Sequence, residues 1–84
     1  MRNLIALLLF SSNILLGTDL RNMDSQKYKI SITSNSGEKK TIDISGFGII
    51  QNICTGCKIA LGQQTIEAKP ENVVIIKNGS LEVR

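Results

Sequence analysis

The sequence predicts an all-β fold, and three observations carry that reading. From Tyr28 onward, apolar residues recur at every second position in short runs, the spacing that sends alternate side chains to opposite faces of a strand. The runs are separated by Asn, Gly, Ser and Pro, residues that end strands and form turns. Nowhere between residues 27 and 84 do apolar residues recur at i, i+3 and i+4 over the length a stable helix needs. Six or seven short strands account for residues 27–84, arranged as a small antiparallel meander that forms a barrel or a two-layer sandwich. A hydrophobic, signal-like helix is expected ahead of this domain.

That opening segment has two apolar runs, residues 4–10 and 14–16, behind a single Arg2 and with no further charge before Asp19. This is the layout of an export signal. Ser11, Ser12 and Asn13 interrupt it, and it falls short of the roughly 20 apolar residues of a bilayer span. As a core helix it would have no solvated face. Residues 1–17 therefore read as a signal peptide, with an uncleaved anchor as the alternative because no A-x-A pair of small residues precedes Gly17. On this reading the mature form has no transmembrane span and is secreted or periplasmic. Residues 18–26 show no periodicity and read as a flexible polar lead-in.

The elements follow in order. Tyr28, Ile30 and Ile32 alternate with polar partners, residues 34–39 supply a turn through Asn35 and Gly37, and Ile42 and Ile44 resume the pattern, which makes a first hairpin. Gly46 and Gly48 flank Phe47 and mark a bend or bulge. Residues 49–53 lead into Cys54-Thr55-Gly56-Cys57 and residues 58–61 lead out, so a second hairpin would set Cys54 opposite Cys57, Asn52 opposite Ile59 and Ile50 opposite Leu61. A turn at 62–64 and a strand at 65–68 precede Pro70, which cannot donate to a ladder and belongs in a connection. Residues 73–77 and 80–84 are joined by Asn78-Gly79, the pair best suited to the two positive φ angles of a type I′ hairpin. That turn sets Ile76 opposite Leu81 and Val74 opposite Val83, and a slip of one residue would exchange the two faces. Residues 73–76 are apolar on both faces, which calls for a central strand or a covering partner.

Composition excludes several functions. The chain has no histidine, so Ser-His and Cys-His nucleophile systems are ruled out. Asp43, Glu67 and Glu71 stand apart rather than as an acid-base pair, and the glycines follow no phosphate-loop spacing. The net charge is +3, Lys39 and Lys40 are the only adjacent basic residues, and the aromatics are Phe10, Tyr28 and Phe47. Neither a phosphate-binding stripe nor a stacking platform can be built from these, so no nucleic-acid partner is expected.

Cys54 and Cys57 are the one motif with a reaction attached. In an oxidising compartment they read first as a structural disulfide across a tight turn, with Gly56 at the position of a type II turn that needs positive φ. A thiol-disulfide redox protein, with Cys54 attacking and Cys57 resolving, is the alternative. Its weakness is that residues 58–61 are too few before Gly62 to build the helix whose N-terminus lowers a catalytic thiol's pKa. Two cysteines also supply half of a zinc site, but no histidine or further cysteine completes it. No metal and no cofactor are expected. Asn78-Gly79-Ser80 and Asn52-Ile53-Cys54 have the form of glycan acceptors. The sequence thus points to a small exported, non-enzymatic β-domain that acts in binding or in an envelope or extracellular assembly. Its partner would be another protein, or a second copy, engaged through an exposed strand edge.

Overall fold

The structure, a computed structural model, describes residues 17–84; the expected N-terminal helix and any cleavage ahead of Gly17 lie outside the described residues. Eight strands occupy that span: β1 Thr18–Asn22, β2 Tyr28–Ser34, β3 Lys39–Ile44, β4 Ile49–Cys54, β5 Cys57–Leu61, β6 Gln64–Ala68, β7 Val73–Lys77 and β8 Ser80–Val83. They form two four-stranded sheets, one in the order β4-β1-β7-β8 and the other β3-β2-β5-β6. Among the described residues there is no helix, so the fold is all-β and two-layered. Leu20, Ile30, Ile44, Ile59, Val74 and Ile76 fill the space between the sheets and are fully or almost fully buried.

Turn chemistry placed the first and last hairpins correctly, and the turn at 62–64 joins a further antiparallel pair, β5 and β6. β2 pairs β3, β5 pairs β6 and β7 pairs β8, all antiparallel, with Ile76 opposite Leu81 and Val74 opposite Val83. Asn78 and Gly79 both have positive φ, 53° and 75°, as a type I′ turn requires. β7 lies between β1 and β8, which explains an apolar strand on both faces: Ile75 points away from the core yet is only 6% exposed, set between Arg21 on β1 and Glu82 on β8.

Three expectations are corrected. Residues 18–22 are not a lead-in but an interior strand, antiparallel to β4 and parallel to β7. Its sequence, Thr-Asp-Leu-Arg-Asn, hides a strand because two of its inward positions are polar and satisfied internally. Thr18 donates through Oγ1 to the Lys69 carbonyl at 2.7 Å. Asn22 donates through Nδ2 to the carbonyls of Gln26 and Ser45 at 2.7 and 2.9 Å, and accepts from the Asp24 amide. The parallel β1–β7 pair also means that the chain is not an antiparallel meander. Finally, β4 and β5 do not form a hairpin: β4 pairs β1 and β5 pairs β2, so Asn52–Ile59 and Ile50–Leu61 are not partners. Gly56 has φ 109° while Thr55 does not have positive φ, the type II arrangement expected. Such a turn splays a two-residue hairpin because its twist opposes that of the strands, and here it carries the chain from one sheet to the other.

Four connections cross between sheets, and they gather at two ends. At one, residues 23–27 and 45–48 meet the Asn78-Gly79 turn: the Phe47 amide donates to the Asp24 carbonyl at 2.9 Å, and Asp24's carboxylate accepts from the amides of Asn78 and Gly79 at 2.8 and 2.9 Å and from the Tyr28 hydroxyl at 2.7 Å. At the other, the 54–57 turn lies beside the 69–72 connection, with Pro70 within 3.6 Å of a Cβ built on Gly56.

Candidate functional site

The two flanks of the sandwich differ. On one, edge strands β6 and β8 are tied by a side chain: Gln64 donates through Nε2 to the Leu81 carbonyl at 2.9 Å and accepts through Oε1 from the Leu81 amide at 2.7 Å. Gln64 thus takes the place of a neighbouring strand at that position of β8 and closes the flank. On the other, edge strands β3 and β4 stand apart with no ladder between them, and a groove opens onto the core.

The groove consists of two adjoining hollows of ≈ 360 and ≈ 240 Å³ that share Ile32, Lys40 and Ile53. Ile42 and Ile50 complete its apolar floor, and Cys54, Thr55 and Gly56 close one end. Lys40 is its notable member. It pairs directly with Ile32 across β2–β3, and opposed residues of a ladder share a face, so this exposed lysine belongs to the row of Ile42 and Ile44 that faces the core. Its parity with those isoleucines is visible in the sequence, where it was noted only as half of a basic pair. An inward-pointing charge on an edge strand is one of the devices that deter indiscriminate strand pairing. β4 carries another. Thr18 pairs Cys54 and Leu20 pairs Ile50, so residues 51–53 face Asp19 alone; Asn52 adopts φ 55° there and its amide donates to Asp19 Oδ1 at 3.0 Å. This bulge turns Ile53, 9% exposed, toward the core.

Cys54 and Cys57 are joined as a disulfide, as the sequence predicted. Cys54 ends β4 half-buried, and Cys57 opens β5 and is 3% exposed. The bridge spans the crossover between sheets and forms the rim of the groove. A strand, not a helix, follows Cys57, so the motif lacks the helix N-terminus found in redox sites of the thioredoxin kind. A wider hollow of ≈ 730 Å³ on the other side of this turn is framed by Asn35, Lys69, Pro70 and Glu71 and lacks an isoleucine floor. Among the described residues no three of His, Cys, Asp and Glu converge as a metal ion requires. Glu67 and Glu71 both border the wider hollow, while Asp43 faces Lys29 at 3.7 Å on the outer surface, an exposed pair of small energetic weight.

No protein-family model matches this sequence, and no curated protein and no solved structure matches it.

Proposed function

We propose that this chain is a small exported, non-enzymatic binding domain that takes up an extended segment of a partner protein along the β3–β4 groove. The observation that carries this reading is the asymmetry of the flanks: Gln64 closes one, while the other leaves an isoleucine floor between two unpaired edges. An added strand would find main-chain donors and acceptors on β3 or β4 and apolar space for alternate side chains. Lys40, projecting over that space, favours a segment that carries a carboxylate next to its apolar anchors and rejects chains that lack one. The disulfide holds the rim in place. The apolar segment 1–16 supports export, and a disulfide fits an oxidising compartment.

Site-specific photocrosslinking tests this. A photoreactive side chain at Ile42 should capture one partner segment, apolar and acidic in composition, whereas the same group at Glu67 on the outer face should not. Lys40→Glu should abolish the adduct while leaving the fold intact. Equal capture from both positions, or capture indifferent to Lys40→Glu, would refute the groove. Intact mass of the protein recovered outside the cytoplasm, with and without reductant, reports export, the new N-terminus and the bridge together. The redox alternative predicts instead that the chain reduces insulin and that Cys54→Ser abolishes that activity.

A further inference from the structure

The end of the sandwich away from the disulfide presents an aromatic ring at a backbone position that resists one. Phe47 has φ 57°, a region costly for a bulky L-residue. The Gly48 amide donates to the Ser45 carbonyl at 2.9 Å, so residues 45–48 form a turn with positive φ at its third position, where glycine is favoured. Glycines stand on both sides but cannot take that place without moving. A Cβ at Gly46 would run into the Ser25 carbonyl oxygen, and one at Gly48 would come within 2.9 Å of the Ser45 carbonyl oxygen. Each neighbour is constrained to be glycine, and the ring is held between them 68% exposed.

Phe47 is not alone. Arg21 pairs Ile49, the Asn22 amide donates to the Gly48 carbonyl at 2.9 Å, and the Phe47 amide donates to the Asp24 carbonyl at 2.9 Å, which sets Phe47 against Asp24, the residue next to Met23. On the other side, the Met23 amide donates to the Ile76 carbonyl at 2.8 Å, which brings Met23 level with Lys77. The outer face of this sheet therefore carries Met23 and Ile49, 46% and 57% exposed, with Arg21 and Lys77 between and beside them, and exposed Phe47 stands in the turn at the end of that face. The nearby acids are each engaged elsewhere: Asp24 directs its carboxylate into the Asn78-Gly79 turn, Asp19 accepts from the Asn52 amide at 3.0 Å, and Glu82 is engaged by Arg84 at 3.1 Å on the far edge.

We propose that Phe47, Met23 and Ile49 form a knuckle that seats the domain peripherally on an anionic lipid surface, with Arg21 and Lys77 at the headgroups. The charge of the rim selects that occupant, since basic side chains beside an interfacial apolar group bind anionic leaflets. Area argues against a second copy. An aromatic side chain offers roughly 150–250 Å² when fully exposed, so one partly exposed ring with two smaller side chains falls well short of the roughly 800 Å² per partner of a stable protein interface. A fluid leaflet needs no complementary pocket. The knuckle shares no residue with the β3–β4 groove, so the two can fail separately.

Because the chain has no tryptophan, Phe47→Trp in the full chain places a single reporter at the knuckle. Its emission should shift to the blue, and be quenched by brominated acyl chains, on vesicles of phosphatidylcholine and phosphatidylglycerol in equal parts, but not on phosphatidylcholine alone. Added salt should reverse the shift, and Arg21→Glu with Lys77→Glu should weaken it roughly tenfold or more. The readout is local, so attachment through the apolar segment 1–16 does not imitate it; Glu67→Trp, on the outer face of the other sheet, should stay water-like. Should Phe47→Trp not fold, Met23→Trp reports on the same patch. Lys40→Glu should leave the shift unchanged. An indole that stays in water while the protein sediments with vesicles, an equal shift on neutral lipid, or a lipid-free shift that grows with protein concentration, the sign of a second copy, would each overturn the proposal.

Discussion

The two ends of this sandwich solve one problem with different chemistry. At the disulfide end a covalent bond spans two residues and pins a single crossover, Thr55-Gly56. At the Asp24 end no covalent cross-link is present among the described residues; one carboxylate collects three donors, and buried Asn22 at the end of β1 joins the 23–27 and 45–48 connections through three more hydrogen bonds. The covalent end is expected to tolerate loss of its link, because the loop it closes is short and its chain-entropy contribution small. The polar end is a connected network around buried Asn22, whose removal leaves the carbonyls of Gln26 and Ser45 and the Asp24 amide without their side-chain partner. The difference teaches where this small domain is vulnerable: at the polar end, and at its glycines rather than its cysteines.

The sharpest way to break that comparison is Gly46→Ala. The new Cβ meets the Ser25 backbone carbonyl, which cannot rotate away, so a loss of about 3 kcal/mol is expected; an unchanged urea midpoint would show that the 23–27 and 45–48 connections do not meet. Replacing Cys54 and Cys57 together by alanine should cost about 2 kcal/mol at most, the chain-entropy value for a loop of this size, and denaturation with and without reductant reads it directly. If the cysteine pair costs more than Gly46→Ala, the ranking of the two ends is wrong. Gly79→Val comes next, at about 1 kcal/mol or a little more, because positive φ is strained for a branched side chain although a Cβ there meets only the Tyr28 hydroxyl at 3.8 Å.

Asp24 and Tyr28 sharpen the comparison through pH. The Tyr28 hydroxyl first, then the Asn78 and Gly79 amides, hold the Asp24 carboxyl below its ordinary 3.8. The Asp24 hydrogen bond, then burial, then Asp24's charge hold Tyr28 above its ordinary 10.0. The Asp24 contribution is present above 3.8 and disappears as pH falls through the depressed value; the Tyr28 contribution is present below 10.0 and disappears as pH rises through the elevated one. The difference in urea midpoint between the native chain and Asp24→Asn should therefore be widest in the intervening range and shrink at both extremes, whereas a difference independent of pH would remove the carboxylate from this role. The smallest expected effect has the opposite sign. Phe47→Gly relieves a positive φ while adding glycine's own entropy cost, for a net gain of about 1 kcal/mol or less, and a loss of stability instead would mean that the ring packs against the fold.

Local chemistry made the first and last hairpins legible, because Asn35 to Gly37 and Asn78-Gly79 announce turns whose neighbours pair with them; Gly62 announces a turn too, but residues 58–61 read as the partner of 49–53. What escaped is non-local. β1 looks like a linker because Thr18 and Asn22, two of its buried positions, are polar, and only their distant acceptors, the carbonyls of Lys69 and Ser45, make them core residues. The β4–β5 pairing failed at a point the sequence did contain, since a type II turn at Thr55-Gly56 is a poor hairpin. The bridge of Cys54 to Cys57 was legible because three residues of separation leave little choice. The groove was not, because it depends on β3 and β4 being left unpaired, which follows from β1 taking the place beside β4. Phe47 was seen only as a bend between glycines; its exposed ring follows from the Ser25 carbonyl that fixes Gly46.

The placement of β1 also sets a timetable. Asp19 lies beside Val73, 54 positions away in sequence (73 minus 19), and closing so long a loop is slow compared with forming the β2–β3 or β5–β6 hairpins. β1 is thus among the last strands to find both of its neighbours. Until β7 is in place, the sheet it shares with β4 and β8 can exist only as separate pieces.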